Sequence, residues 1–146
     1  YEYVKDTAAP GQWRGVPGFA MKRESVRDTS MINVALTGVR HPSPGFAGGR
    51  SGASSRYVLN WGSPDEVEVL ESAANTPSPP GSIIATFKGG GGGWGDPLAR
   101  DPEMVLADVM DDLISVERAA QDYGVVITAD ADIDHEATAA RRAAAR

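Results

Sequence analysis

Residues 89–93 are five consecutive glycines, and Trp94-Gly95-Asp96-Pro97 follows at once. No other stretch limits the fold so tightly. Ordering glycine costs more backbone entropy than ordering any other residue, so neither a helix nor an ordinary strand gains by such a run. Two readings stand open. The run is a flexible linker between a sheet and a following helix, or its backbone must approach something closely, as a nest of N–H groups or as clearance for a ligand or a partner main chain. Gly89, Gly90, Gly91, Gly92, Gly93, Trp94 and Asp96 are therefore candidate residues of a substrate or interface loop. No Gly-Lys-Ser/Thr follows, which excludes a phosphate-cradling P-loop, and the next helix begins too late for a dinucleotide fingerprint. Nucleotide binding by this chain alone is not expected.

A second glycine-rich loop, Gly45-Phe46-Ala47-Gly48-Gly49-Arg50-Ser51-Gly52, carries another candidate, Arg50. Its guanidinium either stays free to fork onto a carboxylate or phosphate, or pairs with one of the chain's own 20 acids in a structural loop. Glycine and proline together make up 27 of 146 residues (17 and 10) and gather in loops. Between the loops, β-favouring residues mark short strands at 1–4, 19–28, 30–36, 56–60, 66–70 and 82–88, the 30–36 strand reading as buried on both faces. Residues 75–81, with Pro77, Pro79 and Pro80, read as a connection, since three prolines remove three ladder donors.

The character changes at Asp101. Asp101 suits an N-cap, Pro102 the first helical position and Glu103 the positive end of the helix dipole, which predicts a helix over about 102–113. Ser115 caps a second helix over 116–123 that Gly124 ends, and residues 125–128 read as a final strand. Beyond lies a tail, 129–146, first acidic and then built of alanine and arginine, helical when supported and frayed when alone. The expected class is α+β, mainly β: short antiparallel strands with long Gly/Pro-rich loops, then a pair of helices and a final strand. Residues 1–128 form a single domain in this reading.

Composition removes several function classes. A net charge of −6 argues against a nucleic-acid binder, which needs a basic face. With no cysteine there is no disulfide framework, thiolate zinc site or cysteine nucleophile. His41 and His135 lie far apart, so no local imidazole cage forms, and His41 reads as structural. Asp130, Asp132 and Asp134 fail as a calcium loop because His135 and Arg141 stand where Gly and Glu are required. Trp13, Trp61 and Trp94 read as core or interface anchors. No apolar run reaches the ~20 residues of a membrane span, and no secretory signal is visible, so a cytoplasmic protein is expected. A start at Tyr1 instead of Met points to a missing or processed N-terminal piece.

The stretch Gly89-Gly90-Gly91-Gly92-Gly93-Trp94-Gly95-Asp96-Pro97-Leu98, followed by Arg100-Asp101-Pro102-Glu103, Ser115-Val116-Glu117 and Asp122-Tyr123-Gly124-Val125-Val126, resembles the C-terminal signature of the hydantoinase B/oxoprolinase family. Pro10-Gly11-Gln12-Trp13-Arg14-Gly15 resembles that family's Gly-Arg-Gly loop, and the loop around Arg50 its downstream Gly-Gly-Pro-Gly-Ala stretch. Thr7-Ala8-Ala9 departs from the usual Ser-Gly-Gly. The resemblance covers most of the chain but only the last quarter of a typical member, as if a C-terminal portion ran as its own subunit. It implies ATP-dependent chemistry at a carbonyl: carboxylation of a ketone such as acetophenone with bicarbonate, in which this chain would be the small subunit, or hydrolysis of a cyclic amide. A purely structural assembly subunit is the remaining alternative. It further implies larger hydantoinase A-like and hydantoinase B-like partner subunits, with ATP and a divalent cation held by those partners and none by this chain alone. An obligate subunit of this kind exposes an apolar face and is poorly soluble in isolation.

Overall fold

The computed structural model describes residues 1–145, apart from the side chain of Ala73. Its spine is the antiparallel pair of β2 (Gly18–Glu24) and β7 (Ile83–Lys88), in register from Phe19 opposite Lys88 to Glu24 opposite Ile83. β1 (Glu2–Val4) adds to the free edge of β2, while β4 (Arg56–Leu59) and then β5 (Val67–Glu68) add beyond β7. The sheet order is thus β1-β2-β7-β4-β5, with every pair antiparallel. Alternation sorts the two faces. Met21, Arg23, Tyr57, Leu59, Ile84, Thr86 and Lys88 share one of them. On the other, Lys22 and Arg56 lie over the Trp61 ring, 5.2 and 5.8 Å from its centroid.

β3 (Ser30–Val34) and β6 (Ala73–Ser78) form a separate two-stranded ribbon. Two expectations change here. Residues 73–78 are a strand even though Pro77 lies in it, opposite Met31. Both strands of a ribbon are edges, where a missing N–H costs no ladder bond if it faces outward. Pro79 and Pro80 lie past the strand's end, in a turn where Ser82 N donates to Pro79 O. Nor is β3 buried on both faces: Met31 is exposed and Val34 is the strand's buried residue. The register slips between Ile32 and Val34, where Asn33 Oδ1 accepts from the amide of Asn75, itself at φ 53°.

The helices follow their local signals. α1 (Pro102–Met110) starts on Asp101, whose carboxylate accepts from Glu103 N. α2 (Val116–Tyr123) starts on Ser115 and ends on Gly124 at φ 66°, the left-handed conformation that glycine adopts without a Cβ penalty. Residues 125–128 are not a strand but make a single bridge, Ile127 to Ile133. Their donors are spent elsewhere: Val125 N caps α2 at Ala119 O, and Val126 N donates to Thr138 Oγ1. α3 (His135–Ala144) begins on Asp134, which accepts from Ala137 N. It is tied down where Arg141 donates to Ala120 O and Arg142 donates to Tyr123 O and Arg100 O. Val105, Ile114, Ala119, Tyr123, Val125 and Ile133 make the helical core. Strand outweighs helix, 26% to 21%, so the class is α+β, mainly β.

Candidate functional site: a glycine seam clamped by arginines

Residues 89–93 run between two loops, 7–16 on one side and 43–55 on the other. Toward the first, Gly91 N donates to Val16 O and Ala9 N to Gly91 O. Toward the second, Gly93 N donates to Arg50 O and Phe46 N to Gly93 O. The two loops also meet directly, through Arg50 N to Pro10 O. The glycines are there for proximity, since none of the five has positive φ. A Cβ on Gly92 would stand 1.8 Å from Pro44 O, and one on Gly89 1.8 Å from Ala53 O. The loops reciprocate: a Cβ on Gly15 would meet Gly91 O at 2.0 Å, and one on Gly49 would meet Gly93 O at 2.1 Å. What approaches the run closely is mostly this chain's own main chain, in three layers, with the Val16 side chain over Gly91 and the Ser55 hydroxyl on Gly89 N as side-chain contacts.

Arginines fasten this seam to the helices. From the first loop, Arg14 Nε donates to Asp108 Oδ1 at 2.8 Å, and Arg100 takes the other oxygen at 2.9 Å. Arg100 NH1 also donates to Gln12 O at 3.1 Å, so one buried guanidinium holds both the helix and the loop. From the second loop, Arg50 NH1 donates to Asp122 Oδ1 at 2.5 Å while Arg118 Nε lies 3.2 Å from Oδ2. Both carboxylates are buried, and each has a separate cation for each oxygen. That arrangement compensates desolvation far better than a single pair would. The Arg50 side chain itself remains 56% exposed. Against Asp108 and Asp122, Tyr123 buries a hydroxyl without a hydrogen-bond partner. Burial first, then the two carboxylates against the opposing arginines, pushes its pKa up to about 12.

Sequence reasoning names Arg50 but passes over Asp108, Asp122, Arg14 and Arg100 as members of the same clamp. A signal is present: Asp108 falls three positions after Val105, and Asp122 three after Ala119, on helix faces that are otherwise buried and apolar. An acid on such a face requires a cation.

At one end the seam opens into an aromatic face. Trp94 bridges Trp13 on one side and Phe46 on the other. Residues paired across strands project to the same side, and the three are 47%, 55% and 73% exposed respectively. Asp96, just beyond, accepts from Leu98 N and caps a single 3-10 turn over Pro97–Ala99.

A family model described as hydantoinase B/oxoprolinase matches residues 1–97, more than half of the chain and all three layers of the seam. The chain belongs to the hydantoinase B/oxoprolinase family. Among family relatives, it is 35% identical over 139 residues to the B-type subunit of a D-/L-hydantoinase from Pseudomonas sp. (strain NS671), covering 94% of this chain and 23% of that one. It is 31% identical over 148 residues to the beta subunit of the caprolactamase of Pseudomonas jessenii, covering 99% and 25%. Two solved structures are similar along almost the whole chain. The ATP-dependent caprolactamase of Pseudomonas jessenii superposes with a TM-score of 0.78 at 29% identity, covering 98% of this chain and 25% of that one. Nucleotide-free acetone carboxylase superposes with a TM-score of 0.74 at 25% identity, covering 99% and 24%. The chain therefore spans about a quarter of the length of these family members.

Proposed function

We propose that this chain completes a hydantoinase B-type subunit within an ATP-dependent complex that attacks a carbonyl group. The carrying observation is the pairing of a rigid seam, clamped by Arg14, Arg50 and Arg100, with an aromatic face that the described residues leave about half open or more. Its role in this reading is to brace the larger part of the B-type structure: Trp13, Phe46 and Trp94 dock against it, while Arg50 and the glycine run hold the docking loops in place.

The reaction most in keeping with the relatives is ATP-driven hydrolysis of a cyclic amide, since two named family members are a hydantoinase subunit and a caprolactamase subunit. The second reading is carboxylation of a ketone such as acetophenone with bicarbonate, favoured by the superposition on acetone carboxylase. ATP and its divalent cation belong to hydantoinase A-like and larger B-like partners in either case. The glycine run supports that placement. The amides of Gly89, Gly91 and Gly93 are committed to Ser55 Oγ, Val16 O and Arg50 O, which leaves those amides no capacity to cradle a phosphate. Among the described residues no group of three or more His, Asp or Glu side chains could hold a metal. No helix of the structure is long and apolar enough to cross a membrane, and the complex is proposed to work in the cytoplasm.

Native mass spectrometry of the chain, purified gently from its source cells, tests the assembly: large partners should arrive in fixed ratio. A well-folded monomer without partners would overturn the reading. The assembled complex, supplied with ATP, then decides the chemistry between caprolactam, hydantoin and 5-oxoproline on one side and acetophenone with bicarbonate on the other.

A further inference from the structure

The sheet face that carries Tyr57, Thr86 and Lys88 is not packed shut. Residues of this face and of β3 together line a cleft of about 370 Å³. This is within the size range of small-molecule sites. Its chemistry is one-sided. Lys88 and Arg23 line it, and no Asp or Glu does. Neither cation makes an ion pair among the described residues, in a chain whose net charge is −6.

At the Lys88 end the polar groups converge. Lys88 Nζ donates to Thr37 Oγ1 at 3.0 Å and to the Tyr57 hydroxyl, and sits 4.6 Å from the Tyr57 ring centroid. An ammonium carries three donors. Two are engaged here, by neutral oxygens, so one donor and the full charge remain. The Tyr57 hydroxyl accepts from Lys88 and shares a 3.3 Å hydrogen bond with Thr37 Oγ1 in which either oxygen can donate, so its proton can turn to a ligand while Thr37 donates to it. Burial alone would raise the Tyr57 pKa, but the hydrogen bonds from Lys88 and Thr37 and the ammonium charge outweigh it, and the net shift is downward. A neutral phenol polarised in this way is a strong donor to an oxyanion. Arg23 stands opposite Ile84, four positions along β7 from Lys88 or about 13 Å at strand rise. It therefore attracts an anion into the cleft without gripping the same group. Thr86, on β7, lies between the two cations and Asn33 adds a second polar group, while Met21, Ile32, Val34 and Leu59 supply an apolar wall beside them.

We infer that this cleft binds a small organic monocarboxylate, its carboxylate held by Lys88 and Tyr57 and its apolar body lying toward β3. An ammonium left without a counter-charge beside a donor hydroxyl selects the anion. The apolar wall selects an organic acid over a bare oxyanion. Its Lys88 end adjoins the seam at Gly89, but the cleft uses none of the seam's residues, and it stands or falls independently of the assembly proposed above.

The test titrates benzoate into the full chain, together with whatever subunits it purifies with, and follows binding by calorimetry. Benzamide, acetate and inorganic phosphate serve as comparison probes. Benzoate should bind saturably and benzamide should not, with acetate and phosphate weaker than benzoate. Lys88→Met should weaken benzoate at least about tenfold, as loss of a charge-assisted bond requires. Arg23→Gln, on an exposed residue, should give a smaller loss that fades with added salt. Should Lys88→Met not fold, Tyr57→Phe takes its place, with weakened binding again expected. The 295 nm titration of the protein minus that of Tyr57→Phe isolates Tyr57 from the chain's other three tyrosines, and bound benzoate should move that difference to higher pH. No saturable benzoate binding, binding unchanged in these variants, or phosphate binding as tightly as benzoate would each overturn the inference.

Discussion

Arg50 NH1 lies 2.5 Å from Oδ1 of Asp122, a residue 72 positions further along the chain. This contact, with its counterpart between Arg14 and Asp108, converts two glycine-rich loops into fixed parts of the helical layer. Replacing Arg50 with Ala leaves Asp122 buried with Arg118 alone. Loss of one partner from a buried carboxylate costs several kcal/mol at most, and discounting for the exposed guanidinium leaves about 1–2 kcal/mol. Urea unfolding of Arg50→Ala measures it. In the assembled complex the same variant separates two roles. A brace loses stability but keeps turnover once assembled, whereas a residue that touches substrate loses turnover with assembly intact.

The glycine run makes an ordered prediction. A Cβ at Gly92 meets Pro44 O at 1.8 Å, whereas one at Gly91 meets first the flexible Val16 Cγ2, at 3.1 Å. Gly92→Ala should therefore cost upwards of ~3 kcal/mol or abolish folding, and Gly91→Ala should cost markedly less. Soluble yield and chemical denaturation of the two variants check the order. Equal effects would mean that the three layers do not pack this closely.

Tyr123 sets an alkaline limit. Its folded pKa of about 12 lies above the ordinary value of 10, so the folded state holds the phenol proton more tightly than the unfolded chain does. That contribution is complete below about pH 10 and is lost as pH rises through about 12. Because the buried hydroxyl has no partner among the described residues, Tyr123→Phe should be neutral or stabilising by up to ~1 kcal/mol at pH 7. It should also flatten the loss of stability above pH 10. Thermal melts from pH 8 to pH 11.5 on both proteins test the sign.

The aromatic face predicts a separation of stability from association. Phe46→Ser removes apolar area mostly open to solvent, so the melting temperature of the isolated chain should hardly change, whereas Trp13→Ser, at a half-buried ring, should lower it modestly. Solubility should rise, and recovery of the large subunits alongside the tagged chain should fall by about tenfold for each central aromatic lost. Unchanged recovery would place the interface elsewhere.

What the sequence discloses is mostly local. Asp101-Pro102, Ser115 and Gly124 each act within one turn of themselves: both helices begin where those residues place them and Gly124 ends the second, whereas the first stops at Met110 rather than 113, with Asp112 turned to φ 57°. The glycine run is conspicuous but its partner is not, because what it touches is main chain from residues 7–16 and 43–55, and main chain has no identity to read. β6 is hidden by Pro77, which forbids a central strand but not a ribbon edge. Residues 125–128 have strand composition, yet Val125 N and Val126 N are taken by a helix cap and by Thr138, a competition that only the assembled structure reveals. Asp108 and Asp122 carry a signal on their buried faces, but nothing local can say which arginines answer it.

Because the three layers of the seam come from the beginning, the middle and the latter half of the chain, their joining has a cost in time as well as in structure. The hydrogen bonds from Gly91 to Val16 and from Gly93 to Arg50 cannot form until loops of about 75 and 43 residues have closed. Contacts of that separation are the ones that slow a folding reaction. During synthesis the first two loops emerge with neither their filler nor their helical anchors. Until the ribosome has delivered the second helix, the nascent chain holds two glycine-rich loops and two arginines whose carboxylate partners have yet to arrive.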